Sequence, residues 1–252
     1  MPIRRELPPR SLDAGAVMAG RAEPHYRKVL ARLLAAHALA EKLTALGYER
    51  IMEALGDSSL KPEIEKNLRE ERQHAHLIYR LLEELGVTQL AADRSMVSVM
   101  KSPSFEAPRH FAGKAANEMD LAMGALSLDM TGMIMIGANY QDSSYAPHAR
   151  AAEIILEEES GHEIFAAEQL GRATEQFGAE AVEAALHEWL PRAANFFGPP
   201  GSGFSYDCIR YGLKSRDNAE LAELYLALVA RRCEQLGLKM PALTPIYPHA
   251  LV

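Results

Sequence analysis

Three charged residues recur 88 positions apart in runs that are otherwise apolar: Glu41 with Asp129, Glu71 with Glu159, and His74 with His162. Within each set an acid precedes a Glu-x-x-His motif by 30 residues (Glu41 to Glu71, Asp129 to Glu159), and no other Glu-x-x-His occurs in the chain. On a helix this motif stacks carboxylate and imidazole one turn apart on a single face. A carboxylate buried without a partner costs on the order of several kcal/mol, so such groups must be paired, protonated or bound to a cation. Asp129 is the sharpest instance, being the only charged residue from Leu121 to Ala138. A chain that repeats this pattern has to fold so that both sets meet.

Helical periodicity supplies the frame. From His25 to about Leu55, residues Leu30, Leu33, Leu34, His37, Glu41, Thr44, Tyr48, Ile51 and Leu55 fall on one stripe. From Glu63 to Leu85 the stripe is Ile64, Leu68, Glu71, His74, Ile78, Leu81 and Leu85, with Gly86 as its stop. Pro24 and Pro62 sit where a first-turn proline is tolerated. A long connection, Val87 to about Pro108, is broken by Pro103 and Pro108. A third helix is predicted from about Gly113 to Asn139 and a fourth from about Tyr145 to Leu170, ending before Gly171. A shorter helix (Ala179 to Leu190), a turn-rich loop (Phe196 to Ser205) and a last helix (about Asp217 to Leu236) follow. No alternation of β-branched residues competes.

Two long hairpins joined by a crossover make an all-α, ferritin-like four-helix bundle with extra C-terminal helices. We expect a single domain over residues 1–252: an N-terminal extension (1–24), the bundle (25–170), then C-terminal helices and a tail (171–252). A carboxylate from each of two helices plus Glu-x-x-His from each of the other two is the di-iron or di-manganese pattern of such bundles. The candidate ligands, and hence the candidate catalytic residues, are Glu41, Glu71, His74, Asp129, Glu159 and His162. Oxygen and nitrogen donors without thiolate favour two Fe ions, with Mn as the alternative, and four carboxylates balance two divalent cations. Glu70 and Glu158 lie four residues before His74 and His162, so either is an alternative to its neighbour; stripe position favours Glu71 and Glu159. His37, one turn before Glu41, reads as support for that carboxylate or as core. His76, His110, His148 and His187 read as surface or packing residues, and the methionines of the third helix as core filler.

Composition excludes several classes. A net charge of −7 disfavours a general nucleic-acid binder. Two cysteines, Cys208 and Cys233, are too few for a disulfide framework. Met1 to Gly20 lacks an apolar core of the kind a signal peptide needs. The apolar run Leu121 to Ala138 carries Asp129, Gly124, Gly132 and Gly137 and reads as a buried helix rather than a membrane span. The expectation is a cytoplasmic protein without membrane or nucleic-acid partners. Gly-rich nucleotide fingerprints and cysteine clusters are absent, so an oxygenase built on this site needs a separate reductase.

The third and fourth helices (LDMTGMIMIGANYQDSSYAPHARAAEIILEEESGHEIFAAEQLG), WLPRAANFFGPPGSGFS and YGLKSRDNAELAELYLALVARRCEQLGLKMP resemble the catalytic A subunit of the phenylacetic acid catabolic oxygenases. The resemblance runs from about His25 to Pro241 and is most specific at Asp129, at the acidic run ending in His162, and from Trp189 to Pro199. It offers little over Val87 to Arg109. It implies di-iron ring 1,2-epoxidation of phenylacetyl-CoA or a related aromatic acyl-CoA with O2, a reductase, a metal-less helical sister subunit and an oligomeric assembly. It also carries over Arg32, Lys101, Lys214 and Asn218 as groups for the CoA phosphates. Other readings of the same site are a hydroxylase of another substrate such as a modified tRNA base, an iron-handling protein, and a structural subunit.

Overall fold

The computed structural model describes residues 3–242, and they form ten α-helices with short 3-10 and π-helical turns. The fold is all-α, and its backbone is two long hairpins. In the first, α2 (Pro24–Leu55) starts on its proline and ends at Gly56, and α3 (Lys61–Glu84) ends at Gly86, whose positive φ lets Val87 N–H reach back to Leu82 O. In the second, α6 (Glu118–Met135) is capped by the Asn117 side chain and runs into a π-helical turn, Ile136–Tyr140, before α7 (Ala146–Phe177) returns. A short helix, α1 (Ala14–Met18), lies in the N-terminal extension. Three helices, α8 (Ala179–Ala194), α9 (Gly203–Arg210) and α10 (Asn218–Gln235), follow the bundle.

Three boundaries differ from the sequence expectation. The connection after α3 is itself helical, with α4 (Gln89–Met96), two 3-10 turns and α5 (Glu106–Lys114), so the third bundle helix begins at Glu118 rather than at Gly113. Thr88 caps α4, and Pro103 and Pro108 fall in first turns, where proline does not break a helix. Gly171 does not end α7: it lies inside the helix beside Leu236, and the stop is Gly178, at φ 82°. The expected loop after Phe196 holds a 3-10 turn and the start of α9, while residues 243–252 of the expected tail lie outside the described residues.

α6 explains why its sequence is uniformly apolar. It touches α2, α5, α7, α8 and α10, and every residue from Leu121 to Thr131 is buried. Together with its π-helical turn it is long and apolar enough to cross a membrane, yet it is the core helix of this bundle, largely buried inside it. Apolar packing divides into two clusters. One gathers Tyr48, Phe111, Phe165, Trp189 and Tyr225; the other gathers Tyr26, Leu82, Tyr145 and Tyr211. The charged residues of the repeat fall between them along all four long helices, forming a polar layer with apolar packing on both sides.

Candidate metal centre

The structure brings the six repeated residues together, each at most 7% exposed. Glu41 comes from α2, Glu71 and His74 from α3, Asp129 from α6, and Glu159 and His162 from α7. Two groups of ligand-type atoms lie within 4.8 Å of one another: Glu41, Glu71, His74 and Glu159 in one, and Glu71, Asp129 and His162 in the other. Glu71 belongs to both. The hairpins also interleave, since His162 Nδ1 is 3.3 Å from Glu71 Oε1 and His74 Nδ1 is 3.7 Å from Glu159 Oε1.

The outer nitrogen of each imidazole is held by the opposite hairpin. His74 Nε2 donates to Glu158 Oε2 at 2.7 Å, and His162 Nε2 donates to Glu70 Oε2 at 3.0 Å. Glu70 and Glu158 thus stand behind the histidines, where a carboxylate fixes the tautomer and raises ligand basicity. Both Nδ1 atoms face inward without a hydrogen-bond partner, as do Asp129 Oδ1 and Glu159 Oε2. Buried polar atoms are almost always paired, so four orphans at one point of convergence is the signature of a site that holds cations. The donor set of four carboxylates and two imidazoles fits two divalent ions of the iron or manganese kind.

Electrostatics agree. Burial pushes the Asp129 carboxyl up to about 7. Burial, together with the neighbouring Glu41, also raises Glu71 well above the usual carboxyl range. Burial alone would lower His74, but Glu41 and the surrounding carboxylates lift it to about 10. His162 rises for the same reason, through Glu159 and Glu71. Glu41 goes the other way: against its burial, hydrogen bonds from His37 and His74 hold it well below the ordinary value. These groups compete for positive charge that protons supply only in part.

Each flanking acid has its own brace. His37 Nε2 donates to Glu41 Oε1 at 2.8 Å, and His37 Nδ1 meets His148 Nε2 at 3.2 Å. Tyr140, at the end of the π-helical turn, packs its ring against both imidazoles. Asp129 instead accepts from the Tyr48 hydroxyl, which Asn67 also contacts. Tyr48 in turn meets the Phe111 ring edge-on at 5.5 Å. Phe111, from α5, fills a slot between α2 and α6 that exists because Gly47 and Gly124 have no side chains: a Cβ at either would overlap the ring. Spacing gave no sign that Tyr48, Asn67 and His148 belong to this site, although Tyr48 lay on the same stripe as Glu41.

From the carboxylates a cavity of about 450 Å³ runs outward to the exposed Arg32 and Pro103. Its walls are apolar, formed by Leu33, Leu128, Met135, Ile136, Phe105 and Phe197 among others. Of the four residues assigned to the CoA phosphates, Arg32, Lys214 and Asn218 line it and Lys101 does not; Lys101 is exposed on the 3-10 turn beside it. Arg32 rests on the Phe204 ring, 4.4 Å from its centroid. Lys214 is buried and donates to Asn218 Oδ1 at 2.5 Å, and burial lowers its pKa. The loop carrying Lys214 is pinned by Asn139, whose Oδ1 accepts from Ser215 N–H (2.8 Å) and Arg216 N–H (3.1 Å).

Comparison with known proteins places this architecture. The sequence model of a family described as phenylacetic acid catabolic protein matches residues 22–248. Among solved structures, a Synechococcus protein described as having aldehyde deformylating oxidase activity superposes with a TM-score of 0.67 at 18% identity, covering 86% of this chain and 93% of that one. At that identity the likeness bears on the fold. No curated protein matches.

Proposed function

The chain belongs to the phenylacetic acid catabolic protein family, and from that premise we propose that it is the catalytic, metal-bearing subunit of an O2-dependent di-iron monooxygenase. Its substrate in this reading is phenylacetyl-CoA or a related aromatic acyl-CoA, epoxidised on the ring. The observation that carries it is the continuity between the four orphaned ligand atoms and an apolar cavity that ends among Arg32, Lys214 and Asn218. A vestigial site in a structural subunit has no need to keep all six donors buried against unpaired nitrogens and oxygens.

When bound, the reduced iron pair supplies the oxidising chemistry: O2, two electrons and two protons yield one oxygen atom for the ring and one water. Glu41, His74, Asp129 and His162 hold one ion or the other, with Glu71 and Glu159 between them. Glu70 and Glu158 orient the imidazoles, while His37 and Tyr48 fix the two flanking acids. Leu33, Leu128, Met135 and Ile136 hold an unactivated ring against the carboxylate side and keep water out. Arg32, Lys214 and Asn218 bind the polar end of the thioester, where phosphate oxygens match guanidinium and ammonium donors. Electrons come from a separate reductase in this reading, since Cys208 and Cys233 are buried far apart in sequence and form no cluster. A metal-less sister subunit and an oligomeric assembly follow from the family.

The test is to load the protein with Fe(II), then supply O2, a reductase and phenylacetyl-CoA, and look by mass spectrometry for a thioester heavier by one oxygen atom. Iron bound without an oxygenated product from any aromatic acyl-CoA overturns the substrate. Failure to bind metal after reconstitution overturns the enzyme reading altogether.

A further inference from the structure

The 88-residue repeat is closest at the ligands and breaks down immediately beside them, and the breaks all fall on one side. Thr44, one turn after Glu41, corresponds to Gly132, one turn after Asp129. Both line the cavity. Thr44 places a side chain over its position, with its hydroxyl turned back to Ala40 O at 3.1 Å. Gly132 places none, and its nearest neighbour beyond the helix is Glu159 Oε2, 3.5 Å from where a Cβ would stand. The ligand groups are also unequal, with four residues around Glu41 and three around Asp129. Asp129 is one methylene shorter than Glu41, and one of its oxygens is engaged by the Tyr48 hydroxyl.

We propose that the two metal positions are unequal: the one framed by Glu41, Glu71, His74 and Glu159 fills first, and the one framed by Glu71, Asp129 and His162 fills second and keeps an open place under Gly132, facing the cavity. It presupposes that the site takes two divalent ions, as proposed above. Four protein donors close a coordination shell more fully than three, so the first position binds more tightly and the second leaves room for an exogenous ligand. The histidines do not line the cavity, whereas Glu41, Glu71, Asp129 and Glu159 do, so an open coordination place lies on the carboxylate side.

Anaerobic titration of the metal-free full chain with Co(II), read by its visible absorption, tests this. Two steps are expected, with dissociation constants at least about tenfold apart. Asp129→Asn removes the weaker step and leaves the tight one, and Glu41→Gln weakens the tight one. Azide, a small anionic probe, is expected to perturb the spectrum only after the second ion has entered, and Gly132→Thr abolishes that response while both ions still bind. Circular dichroism confirms that each variant is folded before it is compared. A single step of two equal ions, equal effects of Asp129→Asn and Glu41→Gln on the same step, or azide binding with one ion present overturns the proposal alone. No bound ion at all overturns the two-ion reading and the proposal with it.

Discussion

The two hairpins present matching side chains at matching positions but support them differently. α2 and α3 are amphipathic, with ligands on the buried face and charge outside, whereas α6 is apolar on every side and contributes Asp129 as an isolated charge. Support for the imidazoles keeps the repeat, because Glu70 and Glu158 stand in equivalent positions and serve opposite hairpins. Support for the flanking acids does not. His37 and Tyr48 both lie on α2, and their counterparts at positions 125 and 136 are Ala125 and Ile136. Cation geometry demands the repeated part, and a single helix, α2, braces both acids. The difference teaches that ligand symmetry does not require symmetric support.

The largest effect is expected at the residue the hairpins share. Glu71→Ala removes a donor from both groups, so elemental analysis after reconstitution should find neither ion retained. Retention of one ion would mean that the groups are more independent than their geometry indicates. Next comes the wedge beneath Tyr48. Phe111→Ala should lower stability by about 3–5 kcal/mol in denaturant titration. Gly47→Ala and Gly124→Ala, which drive a methyl into that ring, should each cost at least about 1–3 kcal/mol. If one glycine proves tolerant, α2 and α6 do not share the slot equally.

Glu70→Gln and Glu158→Gln sharpen the symmetric half of the comparison. Each should weaken metal binding about 10–100-fold, and by similar factors. A large disparity would show that the matched positions are not matched in strength. The smallest effect is in pH. Without bound metal, His74 is raised from 6.5 to about 10 and Asp129 from 3.8 to about 7, so the folded chain holds more protons than the unfolded one across that range. Stability from Asp129 is full below about 3.8 and lost as pH rises through about 7; that from His74 is full below about 6.5 and lost through about 10. Metal displaces those protons, so the gap in Tm between loaded and metal-free protein should widen from about pH 6 to about pH 9. A constant gap would count against proton displacement at these two groups.

The fold was legible because helical periodicity survives on the amphipathic α2 and α3, and the ligands stood out because charges on apolar stripes are costly. α6 could be read only through its lone aspartate, since a helix buried on all sides has no stripe. The helical crossover escaped notice because first-turn prolines look the same as breakers in sequence. Gly171 misled for a related reason: a glycine inside a packed helix and one at its end differ only in what surrounds them. The braces were invisible because a hydrogen bond such as Tyr48 to Asp129 spans 81 residues of chain. Arg32, Lys214 and Asn218 entered through family resemblance; no spacing rule would have gathered them at one cavity.

The paired glycines around Phe111 bear on how such a protein can be rebuilt or diversified. Because that ring occupies space left by both α2 and α6, α5 is keyed to the two hairpins at once. A chimera that exchanges one hairpin for a relative's must bring along a compatible slot, or the crossover residue that fills it. Modular exchange in this architecture is therefore limited less by the metal ligands, which any relative can match, than by a buried lock between segments far apart in the chain.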